Sequence, residues 1–288
     1  MNKYDLNEAQ PIRTDEYHAF REYLRKVCGI DLGVNKQYLV STRVRRILLN
    51  NGLNSLGALT QAIQEDSNRH LRQQVIDAMT TNETFWFRDT YPFQYLASTL
   101  LPEFSKKRPK QPIKIWSAAC SSGQEPYSIS MIFEEACRNK FVCQINEGDI
   151  LGTDLSSIIL EQAKEGCYDR ISLVRGLSSD RLHNFFDQVN DDTWQLKPSI
   201  RQRVRFRPIN LQDSYLLLGR FDIVFCRNVL IYFSAELKLE ILKKIHASLT
   251  PGGYLFLGSS ESITGLNDYF EMVNCNPGIA YRAKAFRP

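Results

Sequence analysis

The sequence predicts two folds in one chain, a small all-helical domain followed by an α/β domain built on a parallel sheet. The α/β prediction starts from residues 113–117, which alternate and carry β-branched isoleucines, as strands do. Small residues follow over 118–123, and Ile129, Ile132 and Phe133 then keep the spacing of a buried helix face. A strand, a small-residue turn and a helix open α/β units in which the backbone approaches a ligand. A plain connection without a ligand is the alternative.

The helical prediction rests on residues 14–80, where amphipathic patterns follow one another without a strand signal. Tyr17 and Phe20 keep a helical spacing in the first pattern, and Gly29 is placed to end that helix. The apolar residues of three further helices are Leu39, Val40, Val44, Ile47 and Leu48, then Leu56, Leu59 and Ile63, then Leu71, Val75, Ile76 and Met79. We therefore predict a helical N-terminal domain over residues 1–88.

The composition is that of a cytoplasmic globular protein. The chain has 288 residues, 43% of them hydrophobic and 24% charged, which is enough for one or two domains. The N-terminus is polar and carries acids, and no apolar run reaches the roughly 18 residues of a membrane span. Seven cysteines without a metal-binding spacing suggest reduced thiols that act as small buried residues. We expect no metal site and no direct membrane insertion.

The net charge of +4 is distributed unevenly along the chain. No acid occurs between Asp31 and Glu65. The basic residues in that interval are Lys36, Arg43, Arg45 and Arg46. The three arginines lie largely off the apolar stripe of the second predicted helix, so they should point outward. They form either an ordinary solvated face or a docking face for an acidic partner.

A polar segment with three consecutive aromatic residues joins the two predicted domains and allows two interpretations. Thr80 and Glu83 have the spacing of a capping box, which would start a helix. Alternatively, Asn82, Thr84 and Arg88 would line a pocket together with the aromatic side chains.

A second strand is predicted at 150–154 and ends in Asp154. In dinucleotide-binding folds, an acid at the end of this strand accepts hydrogen bonds from ribose hydroxyls. Asp154 follows Gly123 by 31 residues, whereas the usual interval is about 20. The polar stretch 138–148 can hold the surplus, so Asp154 remains a candidate for this role.

Residues 168–202 interrupt the alternation of strands and helices. Tyr168 and Trp194 lie in polar surroundings, and residues 190–192 form a turn. We predict a small hairpin-containing insertion, and loops of this kind often carry partner recognition.

Polar side chains follow the next two predicted strands. The first strand has a basic face formed by Arg201, Arg203, Arg205 and Arg207. Asn210 and Leu211 follow at its carboxyl end, where open α/β sheets place ligand contacts. The second strand, at 221–226, is continuously apolar and therefore buried on both faces. Arg227 and Asn228 follow it directly, and this rim predicts a reacting edge.

The remaining predicted elements extend this rim and close the sheet. Tyr232 adds an aromatic ring with a hydroxyl shortly after the apolar strand. After a helix, a strand at 253–258 leads into polar residues at 259–262, which belong to the same rim. Two short alternating runs around 276–278 predict a terminal antiparallel hairpin.

This order of elements resembles the Rossmann-like fold of S-adenosylmethionine-dependent methyltransferases, with its final reversed strand. The usual GxGxG turn is absent, and a Ser/Ala-rich turn instead runs into Gly-x-Glu-Pro-Tyr-Ser at 123–128. Thr-x-Asn-x-Thr-x-x-x-Arg occupies 80–88, and Cys-Arg-Asn-x-x-Ile-Tyr-Phe occupies 226–233. Together the three motifs resemble the CheR family of chemotaxis receptor glutamate methyltransferases, over nearly the whole chain.

The resemblance implies an activity, a cofactor and a partner. The methyl group of S-adenosylmethionine would pass to glutamate carboxylates on the cytoplasmic helices of chemoreceptors, giving glutamate methyl esters and S-adenosylhomocysteine in bacterial chemotaxis. The resemblance also implies a receptor-docking domain over 1–88 and a methyltransferase domain over 89–288. A small β subdomain would be inserted in the latter at about 168–202.

Site residues are carried over position by position. The residues implied to bind the cofactor are Asn82, Thr84, Arg88, Glu125, Asp154, Asn210, Leu211, Arg227 and Asn228. Glu125 would hold the amino-acid part of the cofactor, Asp154 would hold the ribose, and Asn210 with Leu211 would lie along the adenine.

Other residues are assigned to the methyl acceptor and its protein. We choose Arg88 and Tyr232 for positioning the acceptor carboxylate. Arg43, Arg45 and Arg46 would dock the acidic receptor helices by electrostatic steering, with an ordinary solvated surface as the alternative. The β insertion would bind a receptor tail by adding a strand at an exposed edge.

The implied chemistry requires orientation more than acid–base catalysis. A glutamate carboxylate is ionised near pH 7, so no general base is required. The enzyme must instead align the carboxylate oxygen with the methyl carbon and exclude water. We therefore expect no metal or Ser/His/Asp constellation, and we interpret the four histidines as structural.

Two other functions are less consistent with the sequence. A methyltransferase acting on nucleic acid would favour a broad basic surface and an Asn/Asp-Pro-Pro-Tyr-like loop, whereas the chain has Cys-Arg-Asn-Val-Leu at 226–230. A non-catalytic cofactor-sensing module would bind the cofactor without transferring a methyl group. We expect no nucleic-acid partner.

Overall fold

The computed structural model describes residues 12–109, 111–138 and 148–285 of the chain. Contacts divide the chain into a helical unit, Met1–Thr81 with Tyr232–Ser234, and a sheet unit, Asn82–Ile231 with Ala235–Pro288. Within the described residues, no helix is both long enough and apolar enough to cross a membrane. Most of the polar stretch that we expected to hold the surplus residues before Asp154 lies outside the described part.

In its described part, the helical unit holds the four α-helices that the sequence predicts. They are α1 (Thr14–Cys28), α2 (Gln37–Asn50), α3 (Leu56–Gln64) and α4 (Arg69–Met79). Helix α1 ends at Gly29, whose φ of 75° is left-handed and whose N–H donates to Arg25 O at 3.1 Å. Helix α3 begins where Ser55 Oγ accepts the N–H of Ala58 at 3.1 Å. Caps therefore fix the end of α1 and the start of α3.

The sheet unit alternates strands and helices along the chain. The strands are β1 (Ile113–Ala118), β2 (Gly148–Asp154), β3 (Cys167–Asp169), β4 (Phe186–Asn190), β5 (Thr193–Leu196), β6 (Val204–Pro208), β7 (Phe221–Cys226), β8 (Leu249–Leu257), β9 (Phe270–Asn274) and β10 (Ile279–Ala283). The helices are α5 (Tyr91–Tyr95), α6 (Leu101–Lys107), α7 (Gln124–Arg138), α8 (Ser157–Glu165), α9 (Arg170–Val174), α10 (Ser179–Phe185), α11 (Pro198–Arg201) and α12 (Ala235–Ser248). A π-helical segment, Leu96–Leu100, connects α5 to α6.

Seven strands form one sheet in the order β6-β2-β1-β7-β8-β10-β9. The strands from β6 to β8 run parallel, whereas β10 pairs antiparallel with both β8 and β9. This confirms the predicted Rossmann-like sheet and its terminal antiparallel hairpin. Ala118 pairs with both Thr153 and Cys226, so the carboxyl ends of β1, β2 and β7 meet at one edge of the sheet.

Aromatic side chains fill the core around these strands. Phe225 of β7 stacks on Phe256 of β8 with ring centroids 4.9 Å apart, and Phe93 of α5 stacks on Phe225 at 5.9 Å. Trp116 of β1 is buried and donates from Nε1 to Thr153 Oγ1 of β2 at 2.9 Å. Burial of one such side chain contributes about 1.5–3 kcal/mol, so this packing holds the strand ends firmly in place.

The insertion between β2 and β6 contains a three-stranded antiparallel sheet in the order β3-β5-β4. The predicted hairpin turn joins β4 to β5. The short helices α9 and α10 also belong to this insertion, and a side-chain cap starts each of them. Asp169 accepts the N–H of Ser172 at 2.7 Å to start α9, and Ser178 accepts the N–H of Arg181 at 3.3 Å to start α10.

The predicted basic face of the strand before Asn210 is wrong at two of its four positions. Arg201 belongs to α11, and Arg203 precedes β6. The guanidinium of Arg203 turns back onto α7, where it donates to Ser130 Oγ at 2.9 Å and to Glu134 at 3.0 Å. The sequence could not reveal these two positions. Arginines at every second residue are compatible with a strand, and equally with a helix end that is followed by a strand.

Candidate active site

Asp154 ends β2 and accepts hydrogen bonds from two backbone N–H groups at the carboxyl edge of the sheet. Its Oδ2 accepts the N–H of Ser121 at 2.8 Å, and its Oδ1 accepts the N–H of Ser156 at 3.0 Å. The residue is 7% exposed. The arrangement holds the carboxylate where folds of this type bind ribose hydroxyls.

The turn between β1 and α7 adopts left-handed backbone at several positions. The φ angle is 56° at Ala119, 51° at Ser121 and 93° at Gly123. A Cβ on Gly123 would lie 3.1 Å from side-chain atoms of both Ala163 and Tyr127, so glycine lets α7 begin close against α8. Left-handed backbone at a non-glycine residue costs about 1–3 kcal/mol and is concentrated at ligand sites. The turn therefore has the strained geometry of a binding loop.

Arg227 is a buried cation that joins three segments of the sheet unit. Its side chain is 1% exposed. Nη1 donates to Glu125 Oε2 at 2.8 Å, and Nη2 donates to Asp89 Oδ2 and to the carbonyl of Arg88, each at 2.7 Å. Ser117 Oγ donates to the other oxygen of Glu125 at 2.8 Å. The planar guanidinium suits such multiple contacts, and it fixes the starts of α7 and α5 against the end of β7.

The segment before α5 is held by the sheet unit. Ser121 Oγ donates to the carbonyl of Asn82 at 2.9 Å, and the N–H of Phe87 donates to Ser128 Oγ at 3.1 Å. Contacts divide the chain between Thr81 and Asn82. The domain boundary at residue 88 stays a prediction. The half-buried Thr84 lies in the same segment.

The capping-box interpretation of this segment is wrong. Thr80 follows α4 instead of starting a helix, and its Oγ1 donates to the carbonyl of Asp77 at 2.8 Å. Trp86 is fully buried against Tyr168 and Phe186, with ring centroids 4.9 and 5.4 Å away. Aromatic packing against the insertion therefore fixes the segment, and local capping does not.

Arg88 and the residues after β6 also lie in the sheet unit. Arg88 Nη1 donates to the carbonyl of Glu83 at 3.2 Å, and its guanidinium carbon lies 5.1 Å from the ring centroid of Phe85. The N–H of Ile209 donates to Asp154 O at 2.9 Å, which places Asn210 and Leu211 directly beyond the end of β2. Leu211 is buried, and Asn210 Oδ1 accepts a backbone hydrogen bond within its own turn.

The predicted site residues are therefore divided between the units. In the sheet unit, backbone and side-chain contacts bring Asn82, Arg88, Glu125, Asp154 and Arg227 to the edge where β1, β2 and β7 end. Tyr232 belongs to the helical unit, where its carbonyl accepts the N–H of Asp31 at 2.9 Å.

Arg43 does not point outward as predicted. Its Nη1 donates to the carbonyls of Met79 at 2.7 Å and Thr80 at 3.1 Å, so it satisfies carbonyls at the end of α4. Arg45 and Arg46 are exposed on α2, in agreement with the prediction. The apolar spacing of α2 could not distinguish Arg43 from the two exposed arginines. The contact of Arg43 is made to the end of α4, more than 30 residues later in the chain.

Sequence reasoning missed Asp89 at this edge, and it included Glu261 only as part of the polar rim at 259–262. Asp89 follows Arg88 in the sequence but pairs with Arg227, from which 138 positions separate it, so no local signal predicts the pair. Glu261 accepts the N–H of Asn228 at 2.8 Å, although 33 residues separate the two. No spacing predicts that contact, because it depends on β7 and β8 being neighbours in the sheet.

The thiols at the edge are poor nucleophiles. Burial raises the pKa of the Cys120 and Cys226 thiols well above the usual value, and the nearby carboxylates add to the effect. Both therefore stay protonated at neutral pH. Among the described residues, no group of three or more His, Cys, Asp or Glu side chains could hold a metal ion.

The donors and acceptors at the edge fit a nucleoside-containing ligand with an amino-acid moiety. The carboxylates of Asp154 and Glu125 lie beside the strained turn, and Glu125 is bonded to Ser117 and Arg227. Two matches to known families agree with this fit. Residues 15–80 match the family described as CheR methyltransferase, all-alpha domain. Residues 82–279 match the CheR methyltransferase, SAM binding domain.

Proteins similar over nearly the whole chain carry consistent names. The chemotaxis protein methyltransferase Cher2 of Pseudomonas putida is 55% identical over 270 residues, which cover 93% of this chain and 98% of that protein. Chemotaxis protein methyltransferase 1 of Pseudomonas aeruginosa is 54% identical with the same coverage. A chemotaxis protein methyltransferase of Vibrio parahaemolyticus is 51% identical over 95% of this chain and 98% of its own. The chain therefore belongs to the CheR methyltransferase family, with S-adenosylmethionine as its methyl donor.

Proposed function

We propose that this chain methylates glutamate side chains of chemoreceptors, forming glutamate methyl esters and S-adenosylhomocysteine. The observation that carries the proposal is the buried Arg227 network, which fixes the backbone of Arg88 and the carboxylate of Glu125 beside the carboxyl ends of β1 and β7. The relatives named chemotaxis protein methyltransferases support the receptor as the acceptor protein.

The methyl donor is held by the edge of the sheet. Asp154 accepts from the ribose hydroxyls, and Glu125 holds the amino-acid part. The other binding residues of this proposal are Asn82, Thr84, Arg88, Asn210, Leu211, Arg227 and Asn228. When bound, S-adenosylmethionine supplies a methyl group on a sulfonium, which is a ready electrophile.

Arg227 affects the cofactor mainly by positioning the residues that it bonds. Its guanidinium already bonds Glu125, Asp89 and the carbonyl of Arg88. Two carboxylates offset its charge, and this supports a role in shaping the cofactor site.

The acceptor carboxylate is oriented by Arg88 and needs no proton removed. Tyr232 is a separate candidate for contact with the acceptor. It is ionised near pH 7, so it attacks through an oxygen lone pair. An arginine that clamped it tightly would reduce its nucleophilicity, so Arg88 orients it and leaves one oxygen exposed to the methyl carbon. Alignment and exclusion of water then supply the rate enhancement.

The receptor is recognised by charge and by strand addition. Arg45 and Arg46 are exposed on α2 and attract the acidic cytoplasmic helices of a chemoreceptor. Arg43 supports this surface by holding the end of α4. Strand β4 is an edge of the small sheet and can accept an extended receptor tail.

The test is a filter assay with S-adenosylmethionine labelled in its methyl group and membranes that contain chemoreceptors. A carboxyl ester releases the label as methanol in alkali, so alkali-labile label is expected. Membranes whose receptors lack the acceptor glutamates serve as the control and should stay unlabelled. Base-stable label on the receptor would reject the glutamate proposal and leave the family assignment intact.

A further inference from the structure

Glu261 lies in the polar run after β8 and accepts three backbone hydrogen bonds. Its Oε2 accepts the N–H of Asn228 at 2.8 Å and the N–H of Gly258 at 2.7 Å. Its Oε1 accepts the N–H of Leu230 at 2.7 Å. One carboxylate therefore joins the loop after β7 to the loop after β8.

The loop that Glu261 holds has an unusual backbone. Asn228 has a φ of 60°, which non-glycine residues adopt rarely and at a cost. Glu261 bonds the N–H of Asn228 itself and the N–H two residues later, so it supports both sides of the strained residue. Hydrogen bonds to a charged acceptor are roughly twice as strong as neutral ones, and three of them offset this strain.

The two loops also pack too closely for a larger residue at position 258. A Cβ on Gly258 would lie 2.7 Å from Asn228 Nδ2 and from Glu261 Oε2, and 2.9 Å from Asn228 N. The side-chain amide of Asn228 thus lies directly against the start of the Glu261 loop. A shift of either loop would move this amide.

Glu261 also lines a cavity of about 360 Å³, together with Leu230, Lys238 and Leu242. Its two oxygens are nevertheless engaged by backbone N–H groups. The contacts therefore favour a role in holding the backbone over a role as a ligand inside the cavity.

We propose that Glu261 is a positioning residue for methyl transfer. Its carboxylate fixes the backbone of Asn228 and Leu230, and it thereby sets where Asn228 meets the methyl donor. This inference rests on the proposed function, in which Asn228 contacts that donor. A purely structural role for Glu261 would instead lower stability without a selective effect on cofactor affinity.

Asp222 provides a matched control at the other end of β7. It is also a buried carboxylate, with a side chain 3% exposed. It accepts the N–H of Lys114 at 2.9 Å and Thr250 Oγ1 at 3.2 Å, and it pairs with Arg108 at 2.6 Å. It therefore joins β7 to β1 and β8 as Glu261 joins the loops, but at the amino edge of the sheet.

The experiment compares Glu261→Gln and Asp222→Asn in the full chain. Glutamine keeps the size of Glu261 but turns an NH₂ group towards at least one of the three donors. We measure the dissociation constant of S-adenosylhomocysteine by calorimetry, the melting temperature, and kcat and KM with receptor membranes. Glu261→Gln should weaken S-adenosylhomocysteine binding by roughly 10- to 100-fold, because the backbone of Asn228 loses part of its support. Asp222→Asn should lower the melting temperature and keep that dissociation constant within about twofold.

Two outcomes would overturn the positioning role. One is wild-type affinity for S-adenosylhomocysteine in Glu261→Gln, and the other is an equal loss of affinity in both variants at equal melting temperature. The binding measurement needs no receptor, so it remains decisive even if the receptor assay rejects glutamate as the acceptor. Should Glu261→Gln fail to fold, Glu261→Asp keeps the charge with a shorter reach and receives the same measurements.

Discussion

The guanidinium of Arg227 donates to Glu125 Oε2 at 2.8 Å and so joins the end of β7 to the first turn of α7. Both residues came from separate motifs of the sequence, and each was assigned to the cofactor alone. Their contact gives them a shared role, because the orientation of Glu125 depends on a cation that also holds Asp89. The site is therefore a connected network, and changes to one member should be felt by the others.

Arg227→Lys should lower both stability and cofactor affinity. Lysine keeps the charge but lacks the planar fork, so one nitrogen cannot hold Glu125, Asp89 and the carbonyl of Arg88 together. We expect a loss of about 1–3 kcal/mol in the free energy of unfolding, measured by urea denaturation, and weaker binding of S-adenosylhomocysteine. Arg205→Lys is the control, because Arg205 pairs with Asp149 on the surface and is 69% exposed. Equal losses in the two variants would contradict the network.

Asp154→Asn should weaken cofactor binding while the fold is retained. Asparagine has the same shape, but its NH₂ group must replace one of the two oxygens that accept the N–H groups of Ser121 and Ser156. We expect roughly a 10- to 100-fold rise in the dissociation constant of S-adenosylhomocysteine by calorimetry. Asp149→Asn, at the amino end of the same strand, should leave this constant unchanged. An unchanged constant in Asp154→Asn would remove Asp154 from the site.

Tyr232→Phe should lower turnover and spare the cofactor. The proposed role of its hydroxyl is to orient the acceptor carboxylate, so kcat with receptor membranes should fall about tenfold or more. The dissociation constant of S-adenosylhomocysteine should stay within about twofold of the wild-type value, because the loss of one hydroxyl contact to the acceptor does not touch the donor. A variant with wild-type kcat would exclude the hydroxyl from the reaction.

Strand and helix patterns were readable from the sequence because they depend on local spacing. The apolar run of β7 and the glycine that ends α1 are examples. Contacts between distant segments were not readable, as the return of Arg203 onto α7 illustrates. Glu261 was expected on the polar rim, but the same limit hid its contacts, which are set by the order of strands in the sheet. The motifs thus identified most of the candidate residues. The structure adds the contacts between them, such as those of Arg227.

Arg46→Glu should weaken receptor methylation through docking. The side chain is exposed on α2, so reversing its charge should raise KM for receptor membranes several-fold and reduce the dependence of KM on salt. Lys243→Glu makes the same charge change on an exposed position of α12 and should leave KM unchanged. Arg43→Ala should behave differently and lower the free energy of unfolding by about 1–2 kcal/mol, because it leaves carbonyls of α4 without their donor. A normal KM in Arg46→Glu would assign α2 to an ordinary solvated surface.

His246 should make the stability of the sheet unit fall on acidification. Its Nε2 lies 3.0 Å from the carbonyl of Lys284, and the rings of Tyr269 and Phe270 meet it edge-on at 5.2 Å. Burial lowers the pKa of His246 below 6.5. Below about pH 6.5 the unfolded chain therefore binds a proton that the folded chain does not, and stability drops by at most about 1.4 kcal/mol per pH unit until the folded pKa is reached.

Urea denaturation at pH 7.5, 6.5 and 5.5 checks this sign. His246→Gln can still donate to the carbonyl of Lys284 but does not titrate, so its stability should fall less between pH 6.5 and 5.5 than that of the wild type. His183→Gln changes an exposed histidine and should keep the wild-type dependence. Parallel curves for wild type and His246→Gln would show that the buried ring makes no contribution to the acid sensitivity.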